Sequence, residues 1–252
     1  MVFLNNKHNK TIWLIILFGV STVMVSFIIR FRRSTTIPVS TNIPVFIISL
    51  KRATERREYV MSQLPLSFSE NVVVFDAVDG MQLTKAQSYL MNKILIPDKF
   101  KPGQIGCFLS HVIVWKRIVD SKLSVALILE DDFKIVGPLP QILQHILTKR
   151  FDIVYLNHCF EKETGVLIDV IGNYSLRSTV KALCTTGYLI RYSGARTLLK
   201  KVFSQKTAEP IDNFIRTLYR KRRLTAITLI PPLVMPKHFE STINEKSNIT
   251  KT

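Results

Sequence analysis

VALILEDD, residues 125–132, decides how this chain is read. Residues 125–129 are all apolar and match the length of a strand buried on both faces, so Glu130, Asp131 and Asp132 emerge at its carboxyl end. Open α/β sheets bind their ligands outside the carboxyl ends of the strands. Three adjacent carboxylates repel one another unless a cation sits among them, and a hard divalent ion with oxygen ligands is the natural one. The plain alternative is an acidic cap, with Asp132 opening a helix or turn and its neighbours solvated.

Strands alternate with helices on either side of this run. VFIISL at 45–50 reads as a strand and 51–64 as a helix. VVVF at 72–75 is a second strand, closed by the turn DAVDG at 76–80. Residues 104–119 form a helix with Ile105, Leu109, Val112 and Val119 towards a core. Helices near 141–147 and at 193–202, with strands at 153–156, 187–190 and 225–230, complete the series. This alternation predicts an α/β domain with a mostly parallel central sheet.

Ahead of the domain, residues 12–29 (IWLIILFGVSTVMVSFII) carry no charge. A helix of that length reaches roughly 27 Å, enough for a bilayer core. Lys7 and Lys10 precede it and Arg30, Arg32 and Arg33 follow, with no small-residue cleavage site, so an uncleaved single-pass membrane anchor is expected. The expected division is a tail at 1–11, the anchor at 12–29, a linker at 30–43, the folded domain at 44–243 and a tail at 244–252. The juxtamembrane arginines favour a cytoplasmic domain. A secretory lumen is the alternative, in which the triplets at 173–175 and 248–250 would accept glycans. Cys107, Cys159 and Cys184 are widely spaced with no CxxC, which indicates neither a disulfide framework nor a zinc knuckle and fits a reducing compartment.

The net charge is +17 and uneven, with basic stripes at 30–57 and 196–223. Such stripes suit an anionic lipid surface, a polyanionic substrate or a nucleotide, or are solvated helix faces. Nucleic acid is disfavoured because the stripes lack interleaved aromatics and zinc-finger spacing.

A series of tracts then occurs in order: IISLKR at 47–52 with Glu55, Arg56 and Arg57; AVDG at 77–80; GQIGCFLSH at 103–111; LILEDD at 127–132; TGYLI at 186–190 with Gly194 and Ala195; PID at 210–212; PPLV at 231–234; and STI at 241–243. Together they resemble glycosyltransferase family 25, the lipooligosaccharide galactosyltransferases of bacteria and the collagen galactosyltransferases of animals, from about residue 43 to 243. The resemblance implies a GT-A type, Rossmann-like domain. Such a domain moves a sugar, with galactose from a UDP-sugar as the expectation, from a nucleotide sugar to a hydroxyl of a glycan or glycolipid acceptor, with inversion. It implies Mn²⁺ or Mg²⁺ held by Glu130 and Asp132, with Asp131 assisting or binding the ribose.

Arg52 and Arg56 would grip the nucleotide, or form ion pairs. Asp79 would touch the base or ribose, or cap its turn. Asp212 would take the acceptor's proton, or cap a helix at 213–219. His111 would meet a phosphate or the acceptor, or be a satisfied core residue. His238 follows the last strand, where other GT-A enzymes place a final metal ligand. Two departures stand out: Gln104 replaces the family's usual acid, and 149–183 matches little, which marks it as the region shaping the acceptor pocket. A non-catalytic sugar-nucleotide binder and a basic membrane-surface adaptor are the alternative functions.

Overall fold

The computed structural model describes residues 42–237 apart from 98, 160–164 and 205–208. The described elements are β1 (Val45–Ser49), α1 (Thr54–Gln63), a 3-10 turn (Leu66–Asn71), β2 (Val72–Asp76), α2 (Lys85–Ile94), α3 (Pro102–Asp120), β3 (Val125–Glu130), β4 (Phe133–Ile135) and α4 (Leu139–Leu147). They continue with β5 (Ile153–Tyr155), β6 (Leu167–Ile171), β7 (Tyr174–Ser178), β8 (Gly187–Arg191), α5 (Tyr192–Val202), α6 (Ile211–Arg220), β9 (Ala226–Ile230) and β10 (Val234–Pro236). Eight strands form one sheet in the order β2-β1-β3-β8-β5-β9-β7-β6, and β4 pairs with β10 in a small second sheet.

The α/β class is as expected, and the central sheet is mixed. Parallel pairing is confined to two blocks, β2-β1-β3 and β5-β9. Between them β8 runs antiparallel to both β3 and β5. The β6–β7 hairpin adds an antiparallel edge on β9. Sequence alternation cannot distinguish these directions, because a strand buried on both faces is a continuous apolar run in either orientation.

Within that run, successive side chains still part to opposite faces. On β3, Val125, Leu127 and Leu129 enter a core with Val45 and Ile47 of β1, Val60 of α1, and Leu139, Ile142, Leu143 and Ile146 of α4. Ala126 and Ile128 enter the opposite core with Phe46, Ile48, and Phe108, Val112 and Trp115 of α3. The sheet is therefore the middle of three layers. Glu130 continues the even-numbered phase, so it faces α3. This phase places the first acid of the cluster against GQIGCFLSH.

Two local features follow from capping. Gln104 Oε1 accepts from the Lys101 backbone N–H at 3.0 Å, so the residue replacing the family's usual acid stabilises the start of its own helix. Helix α2 was not expected, yet Thr84 and Gln87 form a reciprocal capping box, 3.2 Å from the Gln87 N–H to Thr84 Oγ1 and 2.8 Å from the Thr84 N–H to Gln87 Oε1.

Two expectations are corrected. Among the described residues no helix is long and apolar enough to cross a membrane. The longest, α3, is occupied by the core along one side and carries Lys116, Arg117 and Asp120 at its end. The segment 12–29, on which the anchor rested, lies outside the described residues, as does His238. The single-pass localisation is not carried forward.

The second correction concerns the cysteines: Cys159 and Cys184 form a disulfide with their Cα atoms 5.8 Å apart, which the wide sequence spacing concealed. It closes a loop holding the β6–β7 hairpin, whose turn presents Gly172 at φ 54° and exposes Asn173 of the 173–175 triplet. A closed loop with a sequence separation of 25 removes about 3.5 kcal/mol of unfolded-chain entropy. Reduction is expected to lower unfolding stability by that order, read as a drop in denaturant midpoint between oxidised and reduced protein. An unchanged midpoint would refute the constraint.

Candidate active site

The carboxyl ends of β1, β2 and β3 open into a cleft with an accessible volume of about 160 Å³. Its walls include Arg52, Arg56, Asp79, Cys107, His111, Glu130, Asp131 and Asp132. One wall is backbone packed on backbone. A Cβ at Gly80 would overlap the Pro102 carbonyl, and one at Gly106 would overlap the Val78 carbonyl. Ser110 pins the same contact: its Oγ donates to Gly106 O at 2.7 Å and accepts from the Val78 N–H at 2.8 Å.

The three acids have different surroundings. Both oxygens of Asp131 are engaged, by Ser49 Oγ at 2.7 Å and by Arg56 Nη1 at 3.1 Å. Every hydrogen bond to the Glu130 carboxylate among the described residues falls on Oε1: His111 Nε2 at 3.1 Å, Thr185 Oγ1 at 2.5 Å and Cys107 Sγ at 3.9 Å. Oε2 is left to the cleft. Asp132 Oδ1 is buried and has no hydrogen-bond partner.

Their acidities diverge accordingly. Burial pulls the Glu130 pKa up, but the bonds from His111, Thr185 and Cys107 outweigh it and hold the carboxyl below its usual value. Asp132 has no such donors. Burial, and then the charges of Glu130 and Asp131, push it up to about 7 against the opposing pull of Arg56.

His111 is fully buried and sits behind Glu130. Its Nδ1 meets the Tyr188 hydroxyl at 2.8 Å, the ring stacks on Tyr188, and that hydroxyl accepts from Trp115 Nε1 at 2.9 Å. Asp79 closes its turn, with Oδ1 accepting from the Met81 N–H at 3.0 Å, while Oδ2 pairs with Arg52. The turn-capping and ion-pair alternatives for Asp79, Arg52 and Arg56 are thus both realised at the cleft wall.

Asp212 is not the cap of its helix: Pro210 holds that position and Asp212 lies in the first turn of α6. The stacking of Trp115 on Phe214 and the edge contact of Phe108 with Phe214 dock this helix on α3. Asp212 Oδ1 is buried and unpartnered. Burial, and then the Glu130 charge, raise its pKa to about 6, although His111, Thr185 and Arg216 pull the other way. A carboxylate at a helix N-terminus is ordinarily favoured. Here desolvation and a like charge win.

This constellation can neutralise a departing anion, with carboxylate oxygens available for a cation, and can accept a proton at Asp212. The sequence matches the family described as Glycosyltransferase family 25 (LPS biosynthesis protein) over residues 42–215. The chain belongs to glycosyltransferase family 25.

Two relatives of this family-25 chain, 27% and 28% identical over 223 residues, are Procollagen galactosyltransferase 1 of Danio rerio and Procollagen galactosyltransferase 2 of Homo sapiens. The matches cover 77% of this chain and 36% and 35% of those proteins. A third, 29% identical over 228 residues, 77% of this chain and 37% of the relative, is Inactive glycosyltransferase 25 family member 3 of Homo sapiens. The family-25 chain spans about a third of the length of these relatives.

Sequence reading missed Thr185, Tyr188 and Trp115 as partners in this site. No local signal marks them, because each acts across the β3–β8 seam or through the core. Of the second stripe's residues read as a solvated face, Lys200, Arg220, Lys221, Arg222 and Arg223 are solvent-exposed, and Lys201 is half-buried.

Proposed function

We propose that this family-25 domain transfers galactose from a UDP-sugar to an acceptor hydroxyl by a single, inverting displacement in a GT-A type site. The observation that carries the reading is the buried, unpartnered Asp132 oxygen beside Glu130 at the end of the central strand. A buried carboxylate oxygen without a donor is costly unless a ligand meets it. With the free Oε2 of Glu130 it offers the hard oxygen set that suits Mn²⁺ or Mg²⁺. Such an ion, held by Glu130 and Asp132, would neutralise charge on the leaving nucleoside diphosphate.

The chain's own residues do the rest. Arg52 and Arg56, in the same cleft, orient the diphosphate, and Asp131 holds Arg56 in place. Asp79 shapes the turn against which the nucleoside rests. Asp212 takes the acceptor's proton as the new bond to the anomeric carbon forms and the bond to the diphosphate breaks. The acceptor, a glycan or glycolipid hydroxyl, is met by residues 149–183, the tract that matches the family least.

The test incubates the full chain with UDP-, GDP- and CMP-sugars and a panel of glycan and glycolipid acceptors, with and without Mn²⁺. UDP-galactose is expected to be consumed, with product formed only when Mn²⁺ is present. Indifference to every donor would overturn the proposal. Donor binding without consumption would move the chain to the non-catalytic reading, a live distinction given a relative named inactive.

A further inference from the structure

Cys107, His111 and Glu130 offer sulfur, nitrogen and oxygen atoms that all lie within 4.8 Å of one another. Cys107 and His111 stand one turn apart on α3, at i and i+4, and so face the same way. Glu130 meets them from the end of β3. We propose that these three side chains form a second cation site, selective for a borderline-soft divalent ion such as Zn²⁺, and that its occupation draws Glu130 away from the donor cleft and inhibits transfer. The inhibitory part rests on the function proposed above; the site itself does not.

Four observations support it. First, the spacing is close to that of a tetrahedral ion. Ligand distances of about 2.0–2.1 Å for nitrogen and oxygen and about 2.3 Å for sulfur set donor separations of about 3.3 Å (N to O) and about 3.6 Å (S to O). Here His111 Nε2 lies 3.1 Å and Cys107 Sγ 3.9 Å from the same Glu130 oxygen. Second, the ligand chemistry is wrong for the hard ions that suit Glu130 and Asp132, since thiolate and imidazole select zinc over magnesium or manganese.

Third, the outer partner is already built. Zinc-bound histidines use their second ring nitrogen to fix the ring's orientation. Tyr188 meets His111 Nδ1 at 2.8 Å and is itself held by Trp115 at 2.9 Å. A hydroxyl both donates and accepts, so it serves His111 whether the ring hydrogen is on Nε2, towards Glu130, or on Nδ1, leaving Nε2 for the ion. Fourth, Cys107 is the chain's one thiol outside the disulfide. Ion binding by the thiolate releases the thiol proton to solvent, and a ring hydrogen on Nδ1 leaves His111 Nε2 open to the ion.

The two sites share Glu130. Oε1 turns to the soft ion and Oε2 to the hard one, and the Thr185 hydroxyl competes for Oε1. An ion held at the back of the cleft rotates the carboxylate off the position that the donor's cation needs, so zinc and manganese oppose one another.

Cobalt(II) reports the site without donor or acceptor. Titrating Co²⁺ into the oxidised full chain is expected to give a thiolate-to-cobalt charge-transfer band that saturates at one equivalent, is displaced by Zn²⁺, and is weakened without being abolished by excess Mn²⁺. Cys107→Ser abolishes the band. Tyr188→Phe keeps it but weakens the cobalt affinity by about 10–100-fold. A native protein with no band, or a band that survives in both Cys107→Ser and Cys107→Ala while their thermal melts stay native-like, overturns the proposal. Because no sugar is involved, that failure leaves manganese-dependent transfer untouched, and failure of transfer leaves the band standing.

Discussion

Asp132→Asn is expected to cut sugar transfer at least about 100-fold while making the cation-free protein more stable at neutral pH. The loss follows from removing a buried oxygen that would hold the donor's cation, which supplies several kcal/mol to the transition state. The gain follows from the sign of the pKa shift. Burial first, then Glu130 and Asp131, raise the Asp132 pKa to about 7, well above a free aspartate. A group raised on folding contributes stability that is fully present below the unfolded pKa, near 4, and is lost as pH rises through about 7. At pH 8 the native protein holds an unsatisfied charge that the amide does not carry, a difference on the order of 1–2 kcal/mol.

Thermal melts at pH 5 and pH 8, without and with Mn²⁺, check this. The native protein should lose stability between the two pH values and regain it with Mn²⁺, and the variant should lose less, since Asp212 still titrates in that range, and regain none with Mn²⁺. Glu130→Gln should match the catalytic loss. Full turnover by either variant would end the metal assignment.

Asp212→Asn is expected to lower kcat by about 10²–10⁴-fold, the range for loss of a positioned base, with little change in the KM for the donor. Burial, and then the Glu130 charge, hold Asp212 near pKa 6, so it becomes competent as pH rises through that value. A cation at Glu130 offsets part of the raising field. The acid limb of the native kcat profile should therefore fall at or below pH 6, and it should vanish in the variant. A variant that retains both rate and limb would show that another group accepts the proton. The unpartnered Oδ1 and the position inside the first turn, where the cap is Pro210, make a purely structural role a poor account of this residue.

Much of this was legible in residues 125–132. The apolar run gave a central strand and put the acids at its carboxyl end, while the side that Glu130 takes follows only from α3 packing on the even-numbered face. Helix α2 went unread, although Thr84 and Gln87 spell a capping box. Other parts were not legible. The direction of β8 is not encoded in GYLIR, because burial on both faces erases any signature of orientation. The β6–β7 hairpin was hidden because LIDVI leaves Leu167, Ile168 and Val170 exposed, so no apolar–polar alternation marks it. The disulfide joins cysteines whose proximity depends on β5 and β8 being neighbours, a fact of topology rather than spacing. Thr185 reaches Glu130 for the same reason, and 55 residues separate them.

The touching main chains at Gly80 and Gly106 fix how this site can diversify. A wall made of peptide groups offers no side chain to enlarge, shrink or recharge, so natural or laboratory variation cannot retune the recess there without prising α3 from its neighbouring turn. Novelty must enter where side chains rather than peptide groups line the recess, at positions such as Leu50, Met81 and Cys107.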